Sequence, residues 1–279
     1  MYKILQKQSL NPTVTRMVID APRVAKKAQA GMFIILRVDE EGERIPLTIA
    51  DYDGEKGTVT IIFQVVGATT HKLNRLNAGD FICDFVGPLG RPTELDGLKK
   101  VAVIGGGVGC AIAYPTAKAL HKLGATVHSV IGFRNKDLVI LRDEFDDVSD
   151  KLVLMSDDGS AGEKGLVTDA LKSLIEQGNK YDEVIAIGPL VMMKFVCKLT
   201  REYGIKTVVS MNPIMIDGTG MCGGCRLTVG GEMKFACVDG PDFDGHLVDF
   251  DEAIERGKMY AEFERHAYEK ECNLLKGGN

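Results

Sequence analysis

Strand-length segments alternate with helix-length segments between residues 100 and 211, and this alternation constrains the fold more than any other feature of the chain. Residues 101–104 are apolar on both faces of a strand, and residues 126–133 and 182–187 form further strand-length segments. Strands that are buried on both faces are typical of parallel sheets covered by helices. The sequence therefore predicts a Rossmann-like parallel α/β domain over residues 98–215.

The first 97 residues have a different pattern, in which short strand-like segments are separated by turn residues. Residues 14–19 alternate between polar and apolar side chains, residues 32–38 are largely apolar, and the β-branched segment 58–66 is flanked by glycines. Several short strands at this spacing are typical of a small antiparallel barrel or sandwich. We therefore expect a β-barrel domain over residues 1–97, which ends in a glycine-rich hinge that includes Gly87.

The composition is that of a folded chain and excludes several classes of function. Of the 279 residues, 45% are hydrophobic and 26% are charged, which is enough for a sizeable core. The 34 basic and 39 acidic side chains give a net charge of −5, so nucleic-acid binding through phosphate neutralisation is not expected. No segment has the roughly 18 consecutive apolar residues that cross a membrane, and the N-terminus shows no apolar leader. We expect a cytoplasmic protein that binds neither nucleic acid nor membrane.

Three of the seven cysteines, Cys222, Cys225 and Cys237, lie within sixteen positions of the chain. An odd number of cysteines without a visible leader argues against a disulfide framework. Two cysteines three positions apart can direct both sulfurs at one metal centre when the loop is glycine-rich, as it is here. Asp217 precedes them, so the pattern reads Asp-x4-Cys-x2-Cys-x11-Cys within a predicted metal-binding segment of residues 216–248.

Three kinds of site fit this pattern. Plant-type [2Fe–2S] ferredoxins use Cys-x4-Cys-x2-Cys and a later cysteine, and this chain keeps that spacing with Asp217 in the first ligand position. A structural zinc ion is a second interpretation, although such zinc sites usually have a second Cys-x2-Cys pair. Free thiols in a loop of small residues are the third. We favour the [2Fe–2S] cluster, with Asp217, Cys222, Cys225 and Cys237 as its ligands.

A glycine-rich loop, residues 105–109, follows the first apolar strand of the parallel sheet and begins a helix. Glycines at such a position let the backbone approach a pyrophosphate, and the N-terminus of the helix favours its charge. The loop departs from the strict dinucleotide motif, because Cys110 replaces the third glycine and no acidic residue ends the next strand. A strand–helix connection without a ligand is therefore an alternative. We expect Gly188 and Pro189 to form the far side of the same crevice.

Two short segments of the β-rich half are candidates for phosphate contacts. Residues 44–48 lie at a strand edge, where an arginine can hold phosphate and a threonine can donate a hydrogen bond. Residues 67–71 place small hydroxyl side chains after the β-branched strand and before a helix-like turn. Neither segment is specific by itself, since an arginine at a strand rim is commonly a solvated surface residue.

Together these features resemble the ferredoxin-reductase-like flavoprotein family over nearly the whole chain. Residues 44–48 are similar to the family's FAD motif, residues 66–70 to its second flavin motif, and residues 87–90 to its domain junction. The resemblance implies an N-terminal FAD-binding barrel, a Rossmann-like NAD(P)-binding domain and a C-terminal iron–sulfur segment. The cofactor-binding residues that it implies are Arg44, Pro46, Leu47, Thr48, Gly67, Thr70, Gly87, Gly107, Val108, Gly109, Arg134, Asp157, Gly188 and Pro189.

The resemblance also implies individual roles. Arg44 and Thr70 would anchor the phosphates of FAD, and Thr48, the candidate catalytic residue, would be the hydrogen-bond partner of flavin N5. Gly107 and Gly109 would admit the pyrophosphate of NADH. A choice between NADH and NADPH does not follow from the residues, because an arginine after the second strand, Arg134, can serve a 2′-phosphate.

Two branches of the family carry a C-terminal cluster of this kind. The electron-transfer subunit of dihydroorotate dehydrogenase has four cysteines, whereas the small subunit of NADH-dependent reduced ferredoxin:NADP oxidoreductase, also known as a sulfide dehydrogenase subunit, has aspartate in the first position, as Asp217 is here. The second branch implies a heterodimer that uses NAD(H), FAD and a [2Fe–2S] cluster in flavin-based electron bifurcation. Its larger subunit, with flavin and [4Fe–4S] clusters, would handle ferredoxin and NADP(H). The dihydroorotate branch, and a sensing module that binds NADH without turnover, are the alternatives.

The last segment, residues 249–279, has a charged helical pattern that predicts a C-terminal helix. Its apolar contacts are expected to be Phe250, Ile254, Met259 and Phe263. A helix that packs on its own domain is favoured over one that binds a partner.

Overall fold

A computed structural model describes residues 1–276, so residues 277–279 of the predicted C-terminal helix lie outside the described part of the chain. The strands are β1 (Tyr2–Asn11), β2 (Val14–Asp20), β3 (Phe33–Arg37), β4 (Arg44–Asp53), β5 (Thr58–Gln64), β6 (Phe81–Ile82), β7 (Asp84–Leu89), β8 (Lys100–Gly106), β9 (Thr126–Phe133), β10 (Lys151–Ser156), β11 (Glu163–Lys164), β12 (Glu183–Ile187), β13 (Thr207–Ser210), β14 (Arg226–Val229), β15 (Glu232–Phe235) and β16 (Asp242–Asp244). The helices are α1 (Pro22–Ala25), α2 (Ala68–Arg75), α3 (Gly109–Lys122), α4 (Arg142–Asp147), α5 (Val167–Glu176), α6 (Leu190–Glu202), α7 (Ala236–Asp239), α8 (Phe250–Gly257) and α9 (Ala261–Lys276). Within the described range, no helix has the length and apolar character that crossing a bilayer requires.

The first sheet is an antiparallel barrel with the strand order β6-β1-β2-β5-β4-β3-β7. Its two edge strands, β6 and β7, are separated in the chain by Cys83 alone, so the sheet nearly closes on itself. Val59, Ile61 and Phe63 on β5 point into the barrel core, whereas Ile62 packs with the residues of the second sheet and its helices. Both faces of β5 are thus buried, which is why this strand lacks the polar alternation of a half-exposed strand.

The second sheet has the order β11-β10-β9-β8-β12-β13-β16, and its neighbouring strands are parallel except for β13 and β16. Helices α3 and α4 pack on one face of this sheet, α5 and α6 cover the other, and α8 packs on α6 and β14. The chain order reverses between β8 and β12, so the carboxyl ends of these strands form the switch point where open α/β sheets bind ligands. The barrel and this sheet confirm the fold class that the sequence predicts, and the domain boundaries stay a prediction.

The cysteine-rich segment forms a small unit that packs on both larger parts. Its hairpin of β14 and β15 turns through Gly230 and Gly231, whose φ angles of +62° and +80° suit a tight hairpin turn. Its last strand, β16, completes the edge of the second sheet. Cys225 lies in the same apolar core as Phe33 and Ile35 of the barrel strand β3. This core therefore joins the barrel, the parallel sheet and the cysteine-rich segment.

The C-terminal tail forms two helices where the sequence pattern predicts one. Helix α8 ends at Gly257, a residue with poor helix propensity, and the amides of Lys258 and Met259 then bond to carbonyl oxygens three residues earlier. This tightened turn interrupts the helix before α9 begins at Ala261.

The break in the helix also changes the contacts of the tail. Phe250 is buried and Ile254 is half-buried, as predicted. The contacts predicted for Met259 and Phe263 are wrong, because these side chains are 54% and 74% exposed. After the break, α9 lies against α2 of the barrel, where the ring of Tyr268 contacts a histidine ring edge-on.

The link between the barrel and the second sheet is held by the cysteine-rich segment. The amide of Arg91 donates to the carbonyl oxygen of Gly240 at 2.7 Å, and the hydroxyl of Thr93 donates to Oδ2 of Asp242 at 2.6 Å. Oδ1 of Asp242 is buried, and no described group forms a hydrogen bond with it. Burial raises the pKa of Asp242 to about 6, because it disfavours the carboxylate more than the hydroxyl groups of Thr93 and Ser210 stabilise it.

We expect the stability of the protein to fall as the pH rises through the titration of Asp242. The folded carboxyl keeps its proton up to about pH 6, whereas the unfolded one loses it near 3.8, so the folded state binds more protons between these values. This contribution to the free energy of unfolding is about 3 kcal/mol when it is complete, well below the unfolded pKa, and about 2 kcal/mol of it is lost between about pH 4.5 and about pH 7.5. In Asp242→Asn this loss should be absent, which urea unfolding at about pH 4.5 and about pH 7.5 measures.

Asp244→Asn is the matched control, since its carboxyl lies on the same strand and is exposed. This variant should keep the pH dependence of the wild type. If Asp242→Asn shows the same pH dependence as well, the carboxyl of Asp242 is not the group responsible.

Candidate functional site

The glycine-rich loop lies between the end of β8 and the start of α3, at the switch point of the second sheet. Gly107 has a φ of +57°, a left-handed conformation that favours glycine, and no atom lies within 4 Å of where its Cβ would be. Its amide donates to the carbonyl oxygen of Gly132 at 2.9 Å, which fixes the loop to β9. The loop therefore presents open backbone beside the first turn of α3, an arrangement that suits a pyrophosphate.

The far side of the crevice approaches this loop so closely that side chains are excluded. A Cβ on Gly109 would lie 2.6 Å from the carbonyl oxygen of Ile187 and 2.7 Å from Cα of Gly188. A Cβ on Gly106 would lie 2.3 Å from Sδ of Met192. The structure thus brings the two loops of the expected crevice together, with Met192 between them.

Arg134 and Asp157 follow the neighbouring strands β9 and β10 at the same carboxyl edge. Both side chains are exposed, and the amide of Asp157 donates to the carbonyl oxygen of Phe133 at 3.1 Å, which holds the strand ends side by side. The hydroxyl and the amide of Ser160 donate to the carboxylate of Asp158 and lower its pKa. This edge of the crevice therefore carries the guanidinium of Arg134 and two carboxylates, with the charge of Lys164 beside Asp158.

Strand β4 carries the first predicted flavin segment. Because successive strand residues point to opposite faces, Arg44, Pro46 and Thr48 share the outer face. Leu47 and Ile45 lie on the other face, where they pack against the barrel core. Three of the four predicted residues thus form one outer surface, and Leu47 contributes only its backbone to it.

Helix α2 begins at the second predicted segment, with Gly67 as its N-cap. The hydroxyl of Thr70 accepts hydrogen bonds from the amides of Val66 and Gly67, both at 3.0 Å, and donates to the carbonyl oxygen of Gly67. This hydroxyl is engaged in its own loop, whereas the first-turn amides of Ala68 and Thr69 have no partner within the helix. The hydroxyl of Thr70 therefore holds the loop that precedes α2, and its contact with phosphate stays a prediction.

Asp217 begins the cysteine loop and organises its backbone. Its Oδ1 accepts a hydrogen bond from the amide of Thr219 at 2.8 Å, and its Oδ2 accepts one from the amide of Cys222 at 2.9 Å. These bonds lower the pKa of Asp217, so the carboxylate stays charged. Left-handed φ angles of +76° at Gly218 and +82° at Gly220 let the loop curl around the carboxylate.

Cys225 and Cys237 are buried, and the Cys225 thiol lies close enough to Cys237 to raise its pKa. Burial and the neighbouring sulfur raise the pKa of Cys237 to about 12, the charge of Asp217 adds to this, and the amide of Gly220 opposes it. Cys222 lies exposed on the same loop. Two buried sulfurs beside a carboxylate are a donor set that a bound cation deprotonates and stabilises, so these residues fit an iron–sulfur cluster.

Among the side chains that the structure describes, no group of three or more His, Cys, Asp or Glu converges on a single ion.

The cysteine loop packs against the barrel strand that lies next to the flavin segment. A Cβ on Gly218 would lie 2.6 Å from Cδ1 of Leu89 and 2.8 Å from Cδ1 of Ile35. Ile35 is the register partner of Pro46 on β4, and neighbouring strands lie about 4.8 Å apart. Gly87 on β7 lies beside the same strand, since a Cβ on Gly87 would lie 2.6 Å from Cγ2 of Ile34 on β3. The start of the cysteine loop and the flavin segment are therefore one strand apart.

Sequence reasoning missed residues whose partners are distant in the chain. Lys118 on α3 donates to both carboxylate oxygens of Asp51 on β4 at 2.8 Å, across 67 positions of the sequence. The pair of Thr93 and Asp242 spans 149 positions. No local sequence pattern identifies such pairs, because each residue considered alone has the sequence context of an ordinary polar surface residue.

Residues 212–249 match the family model of the iron–sulfur cluster binding domain of dihydroorotate dehydrogenase B. Over 268 residues the chain is 49% identical to the dihydroorotate dehydrogenase B (NAD(+)) electron transfer subunit homolog of Thermotoga maritima, which covers 96% of this chain and 94% of that protein. It is 33% identical to the dihydroorotate dehydrogenase B (NAD(+)) electron transfer subunit of Streptococcus mutans, over 88% of this chain and 96% of that protein.

A solved structure is similar over almost the full length. It is a chain of the NADH-dependent reduced ferredoxin-NADP oxidoreductase, determined for insights into flavin-based electron bifurcation. The two chains superpose with a TM-score of 0.92 and 48% sequence identity, and the match covers 97% of each.

We expect Gly109→Ala to destabilise the protein, because the new methyl group would meet the backbone of β12 and the loop after it. Overpacking of this kind costs about 1–3 kcal/mol in the free energy of unfolding, which urea unfolding measures. Gly257→Ala is the control, since no atom lies within 4 Å of its Cβ position and alanine favours the helix. If Gly109→Ala is as stable as the wild type, the loop at Gly109 does not lie in such close contact with Ile187 and Gly188.

Proposed function

The chain belongs to the family of dihydroorotate dehydrogenase B electron-transfer subunits and their homologues, and on this basis we propose that it is the electron-transfer subunit of a larger redox complex. It passes electrons between NAD(H) and a larger partner subunit by way of FAD and a [2Fe–2S] cluster. The complex that the similarity favours is an electron-bifurcating NADH-dependent reduced ferredoxin:NADP oxidoreductase.

The observation that carries this proposal is the contact between Gly218 of the cysteine loop and Ile35 of the barrel. Ile35 pairs with Pro46, so a proposed cluster ligand, Asp217, lies one strand from the proposed flavin surface. Electron transfer between cofactors requires that the protein hold them close together, and it requires no acid–base residue between them.

The crevice at the switch point is the proposed NADH site. The backbone around Gly107 and Val108, at the N-terminus of α3, holds the pyrophosphate, and Gly188 and Pro189 close the other side. Arg134 and Asp157, at the edge of this crevice, would contact the ribose of the nucleotide.

The outer face of β4 and the start of α2 form the proposed FAD site. Arg44 pairs with the pyrophosphate, and the first-turn amides of α2 donate to it. Thr48 donates a hydrogen bond to flavin N5, while Gly67 and Thr70 keep the amides of the loop in place.

The proposed cluster ligands are Asp217, Cys222, Cys225 and Cys237. When bound, the flavin accepts electron pairs and the cluster carries single electrons, so the two groups convert two-electron transfer into one-electron transfer. The residues of the chain keep these groups in place: Asp217 supplies a harder donor than thiolate, and the amide of Gly220 points at the sulfur of Cys237.

Exposed apolar side chains lie beside the cysteine loop and support a docked partner. Ile216, just before the loop, and Met221, within it, are 51% and 88% exposed, and Met233 on the adjacent hairpin is 62% exposed. Exposed apolar patches mark interaction sites. We assign this surface to the larger flavin and [4Fe–4S] subunit that exchanges electrons with ferredoxin and NADP(H).

A second candidate is the electron-transfer subunit of a dihydroorotate dehydrogenase, which the match over residues 212–249 and the Streptococcus mutans relative favour. Identity of 48% over 97% of the chain favours the bifurcating complex instead. Purification of the tagged protein from its source, with any bound partner, distinguishes the two candidate functions. Recovery of a flavin and [4Fe–4S] subunit supports the first, and recovery of a dihydroorotate-oxidising flavoprotein supports the second.

Kinetics distinguish an electron-transfer subunit from a sensing module that binds NADH without turnover. With ferricyanide as the acceptor, an electron-transfer subunit oxidises NADH over many turnovers. A sensor stops after a single stoichiometric reaction.

We expect the anaerobically purified protein to contain about one FAD, about two irons and about two acid-labile sulfides per chain. Asp217→Ala should lose about half or more of the iron, because one iron loses a ligand. Asp217→Cys should keep the iron and change the midpoint potential, because thiolate is a softer donor than carboxylate. Iron and sulfide assays and an anaerobic redox titration measure these effects.

Asp251→Ala is the control, since this exposed carboxylate pairs with Lys194 away from the cysteine loop. It should keep the iron content and spectrum of the wild type. A wild-type protein that is colourless even after reconstitution contradicts the proposed function. An Asp217→Ala variant with unchanged iron and spectrum contradicts only the role of Asp217.

A further inference from the structure

One ion pair joins the helix of the nucleotide loop to the strand of the flavin segment. Nζ of Lys118, on α3, lies 2.8 Å from both carboxylate oxygens of Asp51, on β4. The two side chains are 28% and 32% exposed, so the pair is partly shielded from solvent. It therefore connects the second sheet to the barrel through a bidentate contact with defined geometry.

The surroundings hold Lys118 in this position. Its Nζ lies 5.8 Å from the centroid of the Tyr114 ring, and that ring contacts Phe145 edge-on at 5.6 Å. Partial burial raises the pKa of Tyr114, so its phenol stays neutral beside the pair. An apolar cluster adjoins the seam, in which Ala50 of β4 packs with Ala111 of α3 and its neighbours.

The two elements that the pair joins carry the two proposed cofactor segments. Gly109 begins α3 nine residues before Lys118, which is about 14 Å along the helix. Thr48 precedes Asp51 by three residues, which is about 10 Å along the strand. A rotation of about 5° between the elements at the ion pair therefore displaces the nucleotide loop by roughly 1 Å.

We propose that Lys118 and Asp51 are positioning residues that set the nicotinamide against the flavin for hydride transfer. The proposal rests on the proposed function. In that step the C–H bond at nicotinamide C4 breaks, an N–H bond forms at flavin N5, and both electrons move with the hydride, so that NADH is oxidised and the flavin is reduced. Neither residue touches a cofactor, and both act through the relative placement of α3 and β4.

The test compares Lys118→Met and Asp51→Asn with the charge-reversed double variant Asp51→Lys/Lys118→Asp. In anaerobic stopped-flow experiments, the limiting rate of flavin reduction at saturating NADH should fall about tenfold in each single variant, because small displacements of reacting atoms are costly. The FAD content and the dissociation constant for NADH should stay within about twofold of the wild type, since no cofactor contact is removed. The double variant should recover part of the rate.

Lys194→Met is the matched control, because it breaks an ion pair between α6 and α8 that involves neither α3 nor β4. Its rate should equal that of the wild type. Partly exposed pairs contribute little to stability, so all single variants are expected to fold. An unchanged limiting rate in Lys118→Met overturns the proposal.

Hydrogen exchange provides a readout that does not depend on turnover. Amides of β4 and of the first turn of α3 should exchange faster in Lys118→Met than in Lys194→Met, and equal exchange overturns the positioning role. If the wild-type flavin is not reduced by NADH, the proposed function fails, and the exchange experiment still decides whether the pair positions the two elements.

Discussion

The packing of Phe33 and Ile35 against the cysteine-rich segment ties the three parts of the chain together. These two barrel residues share one core with Cys225, Cys237 and the helices on the same face of the parallel sheet. Protein interiors are packed as densely as organic crystals, so groups in one core keep their relative positions. The proposed flavin surface, the cysteine loop and the parallel sheet are thereby held at fixed separations, which is the condition for moving electrons between bound groups.

Two opposite electrostatic environments meet in the cysteine loop. The amides of Thr219 and Cys222 stabilise the charge of Asp217, whereas burial keeps the thiol of Cys237 protonated. The loop therefore stabilises negative charge at Asp217 and disfavours it at Cys237. A bound cation removes this conflict, because it stabilises thiolate and carboxylate together.

Much of the fold follows from local patterns, and the exceptions have physical causes. Strand β9 has the bounds that the sequence pattern predicts, because apolar residues between turn signals leave little choice. The contacts predicted for Met259 and Phe263 were wrong, because helical spacing does not show that the helix ends at Gly257 and that the chain then turns toward α2. Periodicity identifies an apolar face but not the surface that covers it.

The residues of the candidate site also fall into two groups, those that a local sequence pattern predicts and those that it does not. The glycine loop and the cysteine spacing are local, so both were visible in the sequence. The engagement of the Thr70 hydroxyl in its own loop was not visible, because a threonine before a helix has the same pattern whether it caps the helix or binds phosphate. The pair of Lys118 and Asp51 depends on how two distant elements pack, and one sequence contains no signal for that.

Strand β16 lies near the end of the chain, yet it forms the edge of a sheet whose other strands come before residue 211. During synthesis on the ribosome, the edge of β13 stays uncovered until residues 242–244 have emerged, and the apolar side chains of β3 stay uncovered until the cysteine loop has emerged. Folding of the cysteine-rich segment is therefore a late event in biogenesis. Iron and sulfide can be inserted in their final setting only after the barrel, the parallel strands and the segment that carries Cys237 and β16 have been translated.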